Sequence, residues 1–408
     1  FLPAHAKLAE EMANASGADI EVSGQSFLEF CSRKDLPDFD YICLHGVWTW
    51  ISSENREIIV DFLRRKLKTG GLAHISYNTL PGWSNMIALR DQMMEYIDKV
   101  ANPSDDLADQ SKTALQYVND LLAASPAFAN ANPRVQKRLG EMQKLDNPHY
   151  LTHEFFNRNW APMTFSSVHD LLKPAELTYV GSSDYLDNID IAHLNKAQLE
   201  LLKGVADPAM RETNRDFLLN NSFRRDVWIK GPTQLSAEER SRIIREQRII
   251  KVKTSSQPPQ HISTQLGKVP LKQTIYKPVL DALATFEIKT IGEVENDCKH
   301  HKISLAQLVQ AILVLNSTEW VVPVDDDSSI KNSISKSENF NAYLLNEAVS
   351  NQEYEILSSP VIGGAIQIGR MGLFYIHALK QGNKTPRQCA KFVFNTIEEQ
   401  GQTLKLKD

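Results

Sequence analysis

The chain has 408 residues, is 42% hydrophobic and 23% charged, and carries a net charge of −5. That length calls for two or three domains of ordinary globular composition, and the charge gives no general attraction to nucleic acid or to an anionic membrane. No apolar run approaches the ~18 residues of a membrane span, and no signal peptide is expected. Four scattered cysteines, Cys31, Cys43, Cys298 and Cys389, form no CxxC pair and indicate reduced thiols in a cytoplasmic protein.

The first segment, PAHAKLAEEMANASG, places Ala6, Leu8, Ala9 and Met12 at helical spacing, with Pro3 in the first turn and Gly17 as the C-cap. A short strand is expected at Ile20–Val22, followed by a turn at Ser23-Gly24. In FDYICLHGVWTW, residues 39–50, the run from Tyr41 to Leu44 reads as a buried strand that stops at His45 and Gly46. A helix follows, N-capped by Ser52 or Ser53, with Ile58, Ile59, Phe62, Leu63 and Leu67 apolar and Gly70-Gly71 as its stop. LAHISYN is the next strand. This order of elements is that of the second half of a doubly wound α/β sheet. The carboxyl end of a parallel strand is where such sheets bind ligands, and there His45, Gly46, Trp48 and Trp50 stand.

A strand ending in FDYICLHGVWTW, a helix closed by LKTGG and a strand ending in ISYNTLPGW together resemble the class I S-adenosylmethionine-dependent methyltransferases that carry a methyltransferase regulatory domain. The rickettsial protein-lysine methyltransferases belong to that group. The pattern continues through YLTHEFFNRNWAPMTF (150–165) and ELTYVGSSDYL (176–186) to DFLLNNSFRRDVWIKG (216–231). The resemblance implies an incomplete Rossmann-like sheet interrupted by a helical regulatory segment, with S-adenosyl-L-methionine as cofactor. It places Gln25, Ser26 and Phe27 beside the adenine, and Leu44, His45, Gly46 and Val47 along the cofactor. Methyl transfer from a sulfonium is an in-line displacement in which positioning and desolvation dominate, and dry aromatic faces stabilise a cation by up to ~2 kcal/mol. Trp48, Trp50, Tyr77 and Trp83 can supply such faces; Trp48, Trp50 and Trp83 are taken as acceptor-binding residues. His45 is a candidate general base, and the Asn78 carbonyl can accept from an ammonium or amine. Each has a structural alternative: tryptophans in a core, a strand-end histidine bonded to backbone, and an Asx-turn asparagine.

Residues 84–175 read as inserted helices, with Met86, Ile87, Met94 and Ile97 on one side of the first and Pro126 and Pro133 marking later boundaries. In HYLTHEFF, His149, His153 and Glu154 suggest a metal, but HExxH fails because residue 157 is Asn, so no metal is expected. Two strands, ELTYVGSS and FRRDVWIKG, close the core. The segmentation is then 1–83 methyltransferase core, 84–175 helical insertion, 176–231 last core strands, 232–269 a Ser/Pro/Gln-rich connector, and 270–408 a winged-helix-like α+β domain. Between 270 and 327 there are five Lys against nine Asp plus Glu, which opposes DNA binding and favours a protein contact. Gly363-Gly364 and Gly369 read as turn residues, and SSIKNSISKSEN as a mobile loop.

The function expected is methyl transfer to protein lysine. Methylation of a small molecule or glycan, and a degenerate binding scaffold, stay open as alternatives. Among partners, a protein substrate is expected, nucleic acid and a membrane span are not, and a homodimer is allowed for. The family opens with a strand, a Gly-rich loop, a helix and a second strand ending in an acid that holds the ribose, and FLPAHAKLAEEM corresponds to the segment directly after that acid. The expectation is therefore a C-terminal part of a longer protein, binding the cofactor weakly alone.

Overall fold

The computed structural model describes residues 3–102, 104–124, 126–143, 148–255, 257–351 and 354–401. The chain divides into two units. One comprises Phe27–Gln234 with His261–Leu271; the other comprises Phe1–Ser26, Leu235–Gln260 and Lys272–Asp408. The first helix, Pro3–Ser16, thus falls with the C-terminal half rather than with the 1–83 segment expected from sequence.

The Phe27–Gln234 unit is built on four strands, β1 (Phe39–Leu44), β2 (Leu67–Asn78), β3 (Leu177–Ser182) and β4 (Phe223–Lys230), in the order β1-β2-β4-β3. β1 and β2 are parallel, joined by the crossover helix Ser53–Lys66, whereas β4 runs antiparallel to both β2 and β3. The sheet is therefore mixed, and only its first pair follows the doubly wound rule. β1 is an edge strand, so it is not buried on both faces as its apolar run suggests: Tyr41 and Cys43 are exposed. The crossover helix ends at Lys66, not at Gly70-Gly71, because Leu67 already enters the strand. Gly71 serves the sheet instead. A Cβ there would meet Lys68 O at 2.9 Å and Asp40 O at 3.0 Å, so only glycine lets β1 and β2 approach so closely at their start.

Strand alternation sends Ala73, Ile75 and Tyr77 to one face of β2. They join Trp48, Leu63, Phe165, Val168, Leu172 and Trp228 in one core cluster. The helix Phe165–Leu172, capped by Thr164, belongs to this cluster, so the helical insertion ends before Phe165 rather than at residue 175. The insertion has its own core, in which Trp83, Met86, Leu89 and Met93 of the Leu80–Lys99 helix meet Val118, Leu139, Phe155 and Trp160. At ~25 cal/mol per Å2 of apolar surface removed from water, burial of its two indoles is a main contribution to holding the insertion together.

In the other unit, residues 18–26 form no strand. Ile20 and Val22 instead line a groove beside Ala9 and Met12 of the first helix and Phe340. The expected connector is structured: a capping box of Ser236 and Glu239 starts the helix Ala237–Glu246, and Arg248–Lys251 is the middle strand of a three-stranded sheet with Lys289–Thr290 and Val321–Pro323. The helices Gln273–Ala282, Ile291–Asp297 and Leu305–Ser317 lie where three were expected. The expected mobile loop is part of the helix Asp327–Glu347, whose cap Asp326 accepts from the Ser328 and Ser329 N–H groups. Gly363 sits in the turn of the hairpin Ile356–Ser359/Gly364–Gln367 with φ 59°.

Candidate functional site

At the end of β1 the backbone turns at Gly46, where φ is +65° and a Cβ would meet nothing within 4 Å. The Gly46 N–H donates to Ser76 Oγ at 2.7 Å, which ties the turn to β2. The same hydroxyl lies 3.4 Å from His45 Nδ1. Alternation puts His74, Ser76 and Asn78 on the sheet face opposite Ile75 and Tyr77. His74 Nδ1 stands 3.4 Å from Cys43 Sγ, and its Nε2 stands 3.2 Å from Ser183 Oγ. The His45 and His74 rings stack with centroids 6.0 Å apart. Burial first, then the charges of His45 and Arg225, hold the His74 imidazole below its ordinary value, so it stays neutral.

Asn78 closes β2. Its backbone N–H donates to Thr49 Oγ1 at 2.8 Å and its carbonyl accepts from Met163 N–H at 3.0 Å. The residue is 3% exposed, yet its amide nitrogen Nδ2 reaches no acceptor. A buried donor without a partner costs about 1–3 kcal/mol, and such groups persist at sites that a ligand completes.

The structure separates the other expected residues. Trp48 is fully buried in the sheet core, and Leu44, Val47 and Phe27 pack partly buried against that core. Tyr77 is also fully buried there, and its hydroxyl donates to Asp226 Oδ2 at 2.7 Å. Burial, followed by the Asp226 charge, pushes its phenol well up, so it holds its proton. Trp83 lies in the insertion core, where its Nε1 donates to Ser222 O at 2.9 Å. Trp50 packs against that second core, its ring 5.8 Å from His153. The aromatic wall expected from Trp48, Tyr77 and Trp83 is thus not one surface, because alternation turns Tyr77 away from His45 and the two tryptophans anchor different cores. Gln25 and Ser26 fall in the other unit from Phe27.

Among the described residues, no group of three or more His, Cys, Asp and Glu side chains can hold a metal. The Glu154 carboxyl is pushed up by burial, and the His149 side chain lies outside the described residues.

One constellation has no counterpart among the residues expected from sequence. Arg224 of β4 donates through Nε to Asp226 Oδ1 at 2.9 Å, through Nη1 to Asp216 Oδ1 at 2.9 Å, and through Nη2 to Tyr179 Oη at 2.9 Å and Glu212 Oε2 at 3.1 Å. Part of its signal is present in FRRDVW: Arg224 and Asp226 are two apart on a strand and so share a face. The pairing of His74 with Cys43 and Ser183 has no such local signature, because it joins three separate stretches of chain.

Residues 147–230 match the family described as "Predicted methyltransferase regulatory domain". An uncharacterised protein of Synechocystis, sll1526, is 32% identical over 411 residues, covering 99% of this chain and 78% of that protein. RP789 of Rickettsia prowazekii is 30% identical over 223 residues, 53% of this chain and 39% of its own length. Among solved structures, PKMT2 from Rickettsia typhi in complex with AdoHcy matches with a TM-score of 0.67 at 18% identity, over 98% of this chain and 81% of that one. At that identity the likeness is one of fold. No helix among the described residues is long and apolar enough to cross a membrane.

Proposed function

This chain belongs to the same family as the Synechocystis protein sll1526, and its residues 147–230 match a predicted methyltransferase regulatory domain; from that premise we propose that it transfers methyl groups from S-adenosyl-L-methionine to lysine side chains of protein. The observation that carries the reading is the open carboxyl end of β1 and β2, where the free space over Gly46 and the unpartnered Asn78 amide stand on strands joined in parallel. That edge is where a mixed α/β sheet takes its ligand, and the AdoHcy of PKMT2 supports the cofactor assignment.

The residues present fit that cofactor. Gly46 has no side chain to fill the space beside the strand end, and the turn is held by Ser76. Asn78 offers a buried polar group whose unmet hydrogen bond a bound ligand would complete. When bound, the cofactor supplies an activated methyl carbon, and the acceptor nitrogen forms its new bond as the carbon–sulfur bond breaks with its electron pair going to sulfur. The acceptor must be the neutral amine, so the lysine proton has to leave first. His45, exposed and oriented by its 3.4 Å contact to Ser76 Oγ, is the side chain here suited to receive it. The winged-helix reading of the segment after residue 270, with a protein rather than DNA as its partner, is part of the same proposal; its acidic balance supports it.

Incubation of the protein with isotopically labelled S-adenosylmethionine and candidate proteins, followed by peptide mass spectrometry, tests the reading. Label on lysine supports it; label only on small molecules, or none, refutes it.

A further inference from the structure

We infer that the cavity at the start of the Leu80–Lys99 helix is a subsite for acidic side chains of the acceptor polypeptide, an inference that rests on the lysine reading above. The cavity has a volume of about 270 Å3 and lies among that helix, the helix Pro133–Gln143 and the turn Asn220–Ser222. Arg134, Lys137 and Arg138 line it. At spacings of three and four they share one helix face. The lining carries one carboxylate, Glu141, which is 3.9 Å from Lys137 with both side chains exposed, a pairing worth little in water. The lining carries three cations against one acid, and the Arg138 charge also acts on the half-buried Glu154 carboxyl, so Arg134 and Lys137 supply the positive excess in a chain of net charge −5.

The cations are held in place. Arg138 lies over the Trp83 ring, 4.0 Å from its centroid. With the Asn220 amide turned to satisfy both neighbours, its oxygen accepts from Arg134 Nη1 at 2.8 Å and its nitrogen donates to Pro81 O at 3.0 Å. An amide fixes the guanidinium without neutralising it, so the charge is kept for a ligand. The cavity is also tied to the candidate site. Asn78 pairs with Phe223, and immediately beyond this pair Thr79 N–H donates to Ser222 O at 3.0 Å and Gly82 N–H to Asn221 O at 2.8 Å. The cavity wall is therefore the direct continuation of the strand that ends at Asn78.

The spacing selects the ligand. From Arg134 to Arg138 the helix rises about 6 Å, close to the roughly 6.6 Å between alternate side chains of an extended peptide. A single phosphate would engage one cation cluster at a point; this row suits two carboxylates on alternate residues of a bound segment.

The test uses three dye-labelled peptides with the whole chain: one lysine flanked by glutamates at alternate positions, the same peptide with glutamines, and the glutamine peptide with inorganic phosphate added. Fluorescence anisotropy is expected to give about tenfold tighter binding for the glutamate peptide, a gap that narrows with salt. The double variant Arg134→Gln, Lys137→Gln, which changes only exposed side chains and is checked by thermal melting, should abolish the gap. Equal affinity for the two peptides, or a preference that survives in the variant, overturns the inference. So does an effect of phosphate at this cavity with no preference for the glutamate peptide. Methyl incorporation is read separately: transfer to both peptides without preference rejects only the subsite, whereas preferential binding without transfer to either rejects the lysine reading.

Discussion

Replacing Arg224 with leucine should be among the most damaging single changes in the sheet. Arg224 is 4% exposed and its guanidinium stands among Asp216 and Asp226, each 1% exposed, with the Phe165 ring 4.5 Å away. Leucine keeps some of the packing against Phe165 but leaves the two carboxylates buried without their cation. Removing one member of a buried ionic set costs about 3–5 kcal/mol. For a body of this size each kcal/mol lowers the melting temperature by roughly 2–4 °C, so a drop of roughly 6–20 °C is expected by calorimetry. The control is Arg158→Leu, which breaks an exposed pair with Asp98 and should leave the melting temperature close to that of the parent, because water screens such a pair. The acids also give the comparison a pH signature. Burial pushes the Asp226 carboxyl up to about 6, against the lowering pull of Arg224, so the folded state binds that proton more tightly than the unfolded chain. Its stabilising share is full below about pH 4, the unfolded carboxylate value, and is lost as pH rises toward about 6. Without Arg224 the carboxylates become harder to ionise, so the deficit of the variant should shrink on acidification from pH 8 to pH 5. A variant melting within about 2 °C of the parent, or a deficit that grows on acidification, refutes this account.

Gly82→Ala should destabilise the protein by at least about 2 kcal/mol in urea denaturation, because a Cβ there would meet Ser222 Cα at 2.5 Å and Asn221 O at 2.6 Å. A loss below about 0.5 kcal/mol would show that the backbone there yields easily. Trp83→Ala should cost about 3–5 kcal/mol as a core truncation, read in the same assay; a stable but inactive variant would return Trp83 to the pocket wall. Gly46→Ala, by contrast, meets open space and should cost about 1–2 kcal/mol for its positive φ while weakening S-adenosylmethionine binding by calorimetry. Unchanged cofactor binding would displace the site from this turn.

The strands and most helices were legible because their signals are local. Four apolar residues end at His45-Gly46, prolines open helices, and Ser52 caps the helix Ser53–Lys66. What failed depended on distant partners. Ile20 and Val22 alternate like a strand but find a helix groove instead of a ladder. The polar run 328–339 reads as a loop until Asp326 caps it and Leu344 and Leu345 bury its far end. Within the candidate site, the turn at Gly46 and the end of β2 at Asn78 were visible in the text. The facing of Tyr77 was equally visible, since alternation sets it opposite Ser76, but the family pattern drew attention to its chemistry instead. The Arg224 cluster draws on four elements, and no one stretch of sequence discloses it.

The antiparallel ladder of β2 and β4 carries a kinetic cost. Asn78 pairs with Phe223 across 145 positions of chain, and closing a loop of that length costs roughly 4 kcal/mol of entropy. The intervening segment has a core of its own, so if it folds first it shortens the length of free chain left to close when the strands zip. Refolding should thus proceed in two stages, with insertion tryptophans such as Trp83 and Trp160 sequestered before Trp228. Variants that loosen the insertion would slow formation of a sheet they never touch.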